Sequence, residues 1–205
     1  MGQEVKTTLR WDGRIVEGTA LLETDSLIFR GGASLTVPFD EMFSVESNSG
    51  WLELKTSRGL LLLELGPKAD VWKDKIKNPK GLIEKLQVDA TKKVCVLGKL
   101  DADLSGDLAG SGAKISKGAR GKDFDMIFVA ASKKKDLEVI PKARNLMKDD
   151  GAVWIVYPKG NEELRERDVL TAGRTLQMTD NKQVKVNDEL TAVRFVIPVA
   201  QRKTK

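Results

Sequence analysis

Two kinds of hydrophobic pattern divide the chain near its middle. From Lys6 to Leu65, short segments of alternating apolar and polar residues are separated by turn signals such as Asp12-Gly13, Gly31-Gly32 and Asn48-Ser49-Gly50. Alternation with a period of two residues predicts half-buried β-strands. About seven such strands, at spacings near 8–12 residues, predict an antiparallel sandwich or barrel. The first half is therefore predicted to be all-β.

An amphipathic helix is predicted to follow these strands. After Gly66-Pro67, the apolar residues Ala69, Trp72 and Ile76 recur at helical spacing, and Lys73, Asp74, Lys75 and Lys77 are expected to face water. This spacing places the apolar side chains on one face, which we expect to pack on the sheet. Asn78-Pro79 is predicted to end the helix, because proline cannot continue it.

The order of these elements resembles the pleckstrin-homology-like fold over residues 5–78. The resemblance rests on seven strands closed by one helix, on turns such as Arg30-Gly31-Gly32, and on Trp72 in the closing helix. It implies a β-barrel that serves as a binding module. Phosphoinositide-binding members carry several basic residues around the first hairpin, whereas Arg10 and Arg14 here stand among carboxylates. The plainer expectation is a peptide- or protein-contact module.

The second half contains continuous apolar runs. Phe124–Ala131 and Ala152–Tyr157 show no polar alternation, which is typical of strands covered on both faces of a parallel sheet. Between them, apolar residues at spacings of three and four predict a helix, with Ser132 as its N-cap and Gly151 as its stop. Pro141 predicts that its first turn is a separate piece. Two buried strands joined by a helix predict a parallel crossover.

The remaining elements extend this α/β pattern. Lys92–Gly98 is predicted to be another strand, and Asn161–Ala172 a helix capped by Asn161 and stopped by Gly173. Gln183–Val186 and Leu190–Ile197 predict a hairpin. A parallel set that ends in a hairpin resembles the tail of a methyltransferase-like sheet.

A more specific resemblance covers residues 93–198. Its markers are Trp154, Pro158-Lys159, and Asp188-Glu189 followed by Arg194-Phe195. These residues resemble a bacterial family of short methyltransferase-like domains of unknown function. The resemblance implies a reduced Rossmann-like sheet with a terminal antiparallel hairpin, without the glycine-rich cofactor loop and without an established activity. We therefore expect two domains, a pleckstrin-homology-like barrel with its helix over residues 1–88 and this α/β domain over residues 89–205.

The composition removes several chemistries. The chain has no histidine and a single cysteine, Cys95. Histidine-based catalysis, histidine metal ligands, an internal disulfide and a structural zinc site within one chain are therefore not expected. Cys95 lies in an apolar strand and is predicted to be a core residue. No apolar run is long enough to span a bilayer and no signal peptide is recognisable, so the predicted location is cytoplasmic.

The charge is unevenly distributed. Residues 1–90 carry 12 Lys/Arg and 14 Asp/Glu, a net −2, and residues 91–205 carry 23 and 16, a net +7. The positive half includes Lys133–Lys135 and a tail with Arg202, Lys203 and Lys205. Few aromatic residues accompany these cations, so a solvated basic surface is favoured over a nucleic-acid interface.

Candidate ligand-site residues follow the predicted parallel strands, where ligands of such sheets bind. They are Gly98, Asp101, Asp103, Ala131, Trp154, Pro158 and Lys159. Asp101, Asp103, Ser105 and Gly106 match the first half of a calcium loop, but Gly112 stands where the closing glutamate is required. Gly121-Lys122 lacks the other positions of a P-loop. No metal site is predicted, and the glycine-rich stretch 105–121 is expected to be a mobile connection or a ligand loop.

Three functions remain open at this point. The favoured one is a non-catalytic, cytoplasmic two-domain binding or scaffolding protein with a protein or peptide partner and no cofactor. The alternative is an S-adenosylmethionine-dependent methyltransferase or another nucleotide-ligand enzyme. Residues 113–118, where the acidic contact to the cofactor ribose is expected, contain lysines and no carboxylate, which argues against that alternative. A second alternative is a binder of nucleic acid or phospholipid through the basic half.

Overall fold

The computed structural model describes residues 3–202 and divides the chain into two compact units, with the division between Lys80 and Gly81. Residues 81–88 group with the second unit, since Leu86 and Val88 are buried in its core. The domain boundary expected after residue 88 stays a prediction. Two basic residues of the tail, Lys203 and Lys205, lie outside the described residues.

The first unit contains a seven-stranded antiparallel sheet, which confirms the predicted number and direction of the strands. The strands are β1 Gln3–Trp11, β2 Arg14–Leu22, β3 Ser26–Gly31, β4 Ser34–Pro38, β5 Met42–Asn48, β6 Trp51–Thr56 and β7 Gly59–Glu64. Their order across the sheet is β4-β3-β2-β1-β7-β6-β5. Because β4 and β5 are its two edges, the antiparallel sheet is a half-barrel.

The helix α1 (Lys68–Lys77) packs on this sheet. Ala69, Trp72 and Ile76 are its buried residues, as the helical spacing predicted. They join a core of strand residues that includes Leu27, Phe29, Leu52, Leu54, Leu61 and Leu63. Burial of such large apolar side chains is the main favourable contribution to the folding of this unit.

The second unit contains a six-stranded mixed sheet. Its strands are β8 Lys93–Leu97, β9 Lys114–Lys117, β10 Phe124–Ala130, β11 Met147–Pro158, β12 Thr179–Lys185 and β13 Leu190–Val196. Their order is β12-β13-β11-β10-β8-β9. The strands β9, β8, β10 and β11 run parallel to one another, β13 runs antiparallel to β11, and β12 runs antiparallel to β13. The predicted parallel crossover and terminal hairpin are confirmed. The helices are α2 Leu82–Lys85, α3 Ala102–Gly110, α4 Ile140–Leu146 and α5 Glu166–Thr175.

Apolar clusters cover both faces of this sheet, which explains the continuous apolar runs in its central strands. Ile127, Val129 and Ile155 belong to the cluster that contains residues of α4 and α5. Phe128 and Trp154 belong to the cluster that contains residues of α3. Cys95 is fully buried as predicted, and its thiol donates to the carbonyl of Gly118 at 3.2 Å.

Several predicted ends of helices are wrong. Ser132 does not cap a helix with its hydroxyl, because Asp136 reaches back to bind the Ser132 and Lys133 amides. A 3-10 turn, Lys134–Val139, precedes α4, so the separate first turn expected from Pro141 is confirmed. Gly151 lies inside β11 and stops no helix. The glycine-rich stretch is also ordered into part of α3 and β9.

The helix predicted to start at Asn161 begins later. The side chain of Asn161 instead bridges two loops. Its Nδ2 donates to the backbone carbonyl of Ser132, and its Oδ1 accepts from the backbone amide of Glu163. Gly173 lies within α5, not at its end. A Cβ atom at Gly173 would lie 2.2 Å from the ring of Phe195, so glycine here allows α5 to approach the sheet.

Within residues 3–202, no helix is long and apolar enough to cross a membrane.

Candidate functional site: two clefts and an exposed patch

A cleft of about 320 Å³ lies at the carboxyl ends of β8, β10 and β11. It brings together Gly98, Asp101, Ala131 and Pro158, four of the residues that the sequence singled out. This edge is where parallel α/β sheets hold their ligands. The chemistry of the cleft therefore depends on whether its polar groups are free to meet a ligand.

Gly98 serves the packing of two strands. Its φ is +86°, which L side chains rarely adopt, and a Cβ atom would lie 3.1 Å from the carbonyl oxygen of Ala130. Glycine is thus required at the end of β8, where the chain turns and its backbone passes close to Ala130 of β10. This requirement exists without any ligand in the cleft.

Asp101 is the N-cap of α3. Its Oδ1 accepts from the amides of Asp103 at 3.1 Å and of Leu104 at 3.3 Å. These bonds satisfy backbone donors that the first turn of a helix leaves unpaired. Asp103 is exposed in that first turn and does not line the cleft.

Asp136 is the other carboxylate of this cleft, and it is also engaged. Its Oδ2 accepts from the Ser132 amide at 2.8 Å, from the Lys133 amide at 3.1 Å and from the Ser132 hydroxyl at 3.2 Å. Hydrogen bonds to the charged form, led by that of the Ser132 amide, lower the pKa of Asp136. The carboxylate therefore holds the loop after β10 in place.

Lys159 lies outside this cleft and is tied to the β12–β13 turn. Its Nζ donates to the carbonyl of Asn187 at 2.7 Å and to that of Asp188 at 3.3 Å. Its backbone amide also donates to Glu189 O at 2.7 Å. The Pro-Lys pair that marks the sequence resemblance thus joins the end of β11 to the hairpin.

Trp154 is fully buried in the sheet and does not line the cleft. Its ring stacks on Phe128 of the neighbouring strand, with centroids 6.4 Å apart and an angle of 11° between the planes. Such pairs add to the stability that apolar burial supplies. Trp154 therefore acts as a core residue.

A second cleft, of about 470 Å³, adjoins the carboxyl end of β11 and the start of α5. Its lining includes Tyr157, Pro158, Lys159, Gln183 and Thr191. Sequence reasoning missed Tyr157 because the strand pattern accounts for it as a core position. Its chemistry could have drawn attention to it, because Tyr157 is the single tyrosine of the chain and carries the one hydroxyl in the apolar run 152–157.

The first unit presents an exposed patch at the tips of the β1–β2 and β6–β7 hairpins, beside a depression of about 510 Å³. Ile15 is 67% exposed and Leu60 is 46% exposed. Three arginines also line this hairpin patch, namely Arg10, Arg14 and Arg58. Large apolar side chains that remain in water beside clustered cations are typical of contact surfaces.

The arginines of the hairpin patch differ in their partners. Arg10 stacks over the ring of Trp51 at 4.5 Å, and Arg58 pairs with Glu41 at 3.3 Å. Arg14 forms no ion pair within the described residues. The patch thus keeps positive charge available at its surface, although the first half of the sequence is net acidic.

At the parallel strand ends, two features of metal and nucleotide-cofactor sites are absent among residues 3–202. Within residues 3–202, no group of three or more His, Cys, Asp or Glu side chains could hold a metal ion. In the calcium half-motif, Oδ1 of Asp101 already caps α3. Beyond β9, Gly118 follows Lys117, so no carboxylate stands where a cofactor ribose would need one.

The comparisons with known proteins give only distant likenesses. No protein-family model and no curated protein sequence matches the chain. A SAM-dependent methyltransferase from Aquifex aeolicus is similar at 14% identity and a TM-score of 0.46, over 57% of this chain and 87% of that one. Magnesium protoporphyrin IX methyltransferase from Synechocystis PCC 6803 is similar at 14% identity and a TM-score of 0.42, over 52% and 70%.

A third likeness is to the C-terminal domain of an unknown protein from Leishmania infantum. Its identity is 16% and its TM-score is 0.30, over 34% of this chain and 72% of that one. The C-terminal part of the chain thus resembles SAM-dependent methyltransferases in structure at low identity. All of these TM-scores are below 0.5.

Proposed function

We propose that the protein is a non-catalytic, cytoplasmic two-domain binding or scaffolding protein. The observation that carries this proposal is the state of the candidate groups at the parallel strand ends. Asp101, Asp136 and Lys159 are each engaged in hydrogen bonds that build helix starts or loops. In each of these groups the hydrogen-bonded atom already has a structural role, whereas a catalytic group needs a proton or lone pair directed at a substrate.

The finer fold assignments belong to the same proposal. The first unit is a pleckstrin-homology-like module, supported by the order of its seven strands and α1. The second is a methyltransferase-like domain of the bacterial family that its sequence resembles, supported by the parallel strands and the terminal hairpin. In this interpretation, the second unit keeps the sheet of a nucleotide-binding fold and uses it as a scaffold.

The hairpin patch is the contact surface that we assign to the first unit. Its partner is an acidic segment of another protein that also carries large apolar residues. The apolar part would bury Ile15 and Leu60, and carboxylates would meet Arg10 and Arg14. Burial at the centre supplies affinity, and charge complementarity steers association and sets specificity.

A selection from random phage-displayed peptides on the full chain tests this partner class. We expect enrichment of peptides that combine Asp or Glu with Leu, Ile or Phe. Arg14→Glu and Ile15→Ser should abolish binding of the selected peptides. The matched controls are Arg30→Glu and Val71→Ser, which change an exposed arginine and a 46% exposed valine outside the patch.

Two results contradict the assignment. Enriched peptides that bind the Arg14→Glu variant as well as the unchanged chain would place the contact elsewhere. Binding to anionic liposomes or duplex DNA that falls with salt and is lost in the Arg14→Glu variant would identify a lipid or nucleic-acid surface instead.

A further inference from the structure

The strand β9 is an open edge of the six-stranded sheet. In a typical doubly wound sheet, the first three parallel strands lie side by side and the third lies outside the second. Here β9 is the second parallel strand, and the chain returns from it to β10 on the other side of β8 through residues 118–123. Among residues 3–202, no strand lies outside β9.

The register determines which backbone groups of β9 lack a strand partner. The amides of Lys114 and Gly118 each donate towards β8 at 2.9 Å. In a parallel ladder, alternate residues direct their backbone groups to the same neighbour, so Lys114 and Ser116 bond to β8. The amides and carbonyls of Ile115 and Lys117 point the other way. They form a short row of donors and acceptors to which an extended segment can add as a strand.

The other three sheet edges carry features that hinder the addition of a strand. β4 ends in Pro38, which has no amide to donate, and β5 and β12 each contain a register shift in the pairing with their neighbours. Proline and bulges commonly protect edge strands. The pairing of β9 with β8 is regular, and β9 contains no proline. Its protection consists of its length of four residues and the charge of its lysines.

Side chains on the two faces of β9 restrict what an added segment can carry. Lys114 lies on the face of Cys95 and Lys117 on the opposite face. Both lysines are exposed, and neither forms an ion pair among residues 3–202. Ile115 shares the face of Lys117 and packs against the apolar cluster that contains residues of α3. Carboxylates beside the lysines and an apolar residue beside Ile115 would match this edge, whereas a second copy of β9 would set lysines against lysines.

We propose that β9 accepts an extended acidic segment of another protein, which adds to the sheet as a further strand. The segment bonds to the amides and carbonyls of Ile115 and Lys117, and its carboxylates meet Lys114 and Lys117. Arg120 and Lys122 are exposed in the loop after β9 and add positive charge that attracts such a segment. This surface rests on the proposed binding function but is separate from the hairpin patch, so either surface can fail its test while the other stands.

The peptide acetyl-Glu-Val-Glu-Val-Glu-Val-amide is a suitable probe, because as a strand it carries carboxylates on one face and apolar groups on the other. It is titrated into the isotope-labelled full chain and followed by NMR. We expect saturable binding, with hydrogen exchange of the Ile115 and Lys117 amides slowing as the bound fraction rises. The amides of Lys114 and Ser116 are the internal reference, since both already face β8.

Two modified peptides test whether the backbone makes the contact. One carries N-methyl groups on its glutamates and the other on its valines, and both keep the side chains of the probe. A parallel added strand needs the amides of one set and an antiparallel strand those of the other, so we expect one modified peptide to lose binding. A peptide with Lys in place of Glu should not bind.

Charge variants test the side-chain contacts. Lys114→Glu should weaken binding of the peptide by about 5- to 10-fold, because repulsion replaces an exposed ion pair. The matched control is Lys135→Glu, which changes an exposed lysine outside this edge. Arg14→Glu in the hairpin patch should also leave the affinity unchanged.

Several results would overturn the proposal. They are no binding at millimolar concentration, unchanged exchange of the Ile115 and Lys117 amides, and full binding by both N-methylated peptides or by the lysine peptide. Equal affinities of the Lys114→Glu and Lys135→Glu variants would also overturn it, and loss of binding in Arg14→Glu would place the peptide on the hairpin patch instead. Slower exchange of the same amides when the chain alone is concentrated would identify a second copy as the occupant.

Discussion

The Nζ atom of Lys148 lies 2.6 Å from Oδ1 of Asp125, and this contact joins the start of β11 to β10. The other carboxylate oxygen of Asp125 accepts from the backbone amide of Lys93 at 2.7 Å, at the start of β8. One carboxylate therefore holds three parallel strands together at their amino ends. The opposite ends of the same strands form the cleft at Gly98.

Loss of the Asp125 carboxylate should destabilise the second unit more than loss of Lys148. Asp125→Ala removes a charge-assisted hydrogen bond to a backbone amide, which is worth about 1.5–3 kcal/mol. Lys148→Met removes an ion pair whose lysine is 43% exposed, and such pairs contribute about 0–1 kcal/mol. Denaturant unfolding of both variants measures the difference. Equal losses would mean that the hydrogen bond from the Lys93 amide contributes nothing to stability.

The stability of the second unit should fall in acid because of Asp125 and Asp136. At Asp125, burial raises the pKa, but the bonds from Lys148 and the Lys93 amide outweigh it and the net shift is downward. The Ser132 amide is the largest cause of the lowered pKa of Asp136. A carboxyl whose folded pKa lies below its unfolded pKa stabilises the fold above the unfolded pKa, and this stabilisation is lost as pH falls towards the folded pKa.

The free energy of unfolding should therefore decrease as pH falls below about 4, the ordinary range of an Asp carboxyl. Unfolding by urea at a series of pH values measures this decrease. The Asp125→Asn variant should show a shallower decrease than the unchanged chain. The same dependence on pH in both proteins would show that Asp125 does not contribute to the loss of stability in acid.

Tyr157→Phe should stabilise the protein. The variant removes a buried hydroxyl that has no partner among the described residues and keeps the apolar ring. Leaving such a group unpaired costs about 1–3 kcal/mol, so we expect a gain of about 1 kcal/mol in the free energy of unfolding. Thermal and denaturant unfolding measure it. A loss of stability would show that the hydroxyl is already satisfied in the folded protein.

Gly173→Ala should disrupt the contact between α5 and the sheet. The added Cβ would lie 2.2 Å from the ring of Phe195, which is fully buried and has little room to move. Overpacking of this kind costs about 1–3 kcal/mol. Gly106→Ala in α3 is the control, because the new Cβ meets no atom within 4 Å and alanine favours the helix by about 1 kcal/mol. We expect Gly173→Ala to lower the free energy of unfolding and Gly106→Ala to raise it. Equal changes in the two variants would show that contact with Phe195 does not require glycine at position 173.

The hydrophobic pattern predicted the elements better than their ends. Continuous apolar runs identified β10 and β11 because both faces of these strands are covered. Gly173 and Gly151 were interpreted as helix stops because glycine commonly ends helices, whereas packing against Phe195 and position within β11 explain them. Such causes depend on contacts between residues distant in the chain, which a local pattern does not contain.

The candidate site was predicted in part. Gly98, Asp101, Ala131 and Pro158 converge at one cleft because they follow neighbouring parallel strands. The pattern could not predict that Asp101 caps α3 or that Lys159 reaches the carbonyls of the β12–β13 turn. Tyr157 went unnoticed for the related reason that an unpaired hydroxyl is a property of the folded surroundings.

Calorimetric titration of the full chain with S-adenosylmethionine distinguishes a binding protein without catalysis from a methyltransferase. Because Oδ1 of Asp101 and Oδ2 of Asp136 already accept hydrogen bonds and no carboxylate directly follows β9, we predict no saturable binding tighter than millimolar. Submillimolar binding that is abolished by Asp101→Asn and retained by Asp107→Asn, an exposed position on the same helix, would contradict this claim and favour a methyltransferase.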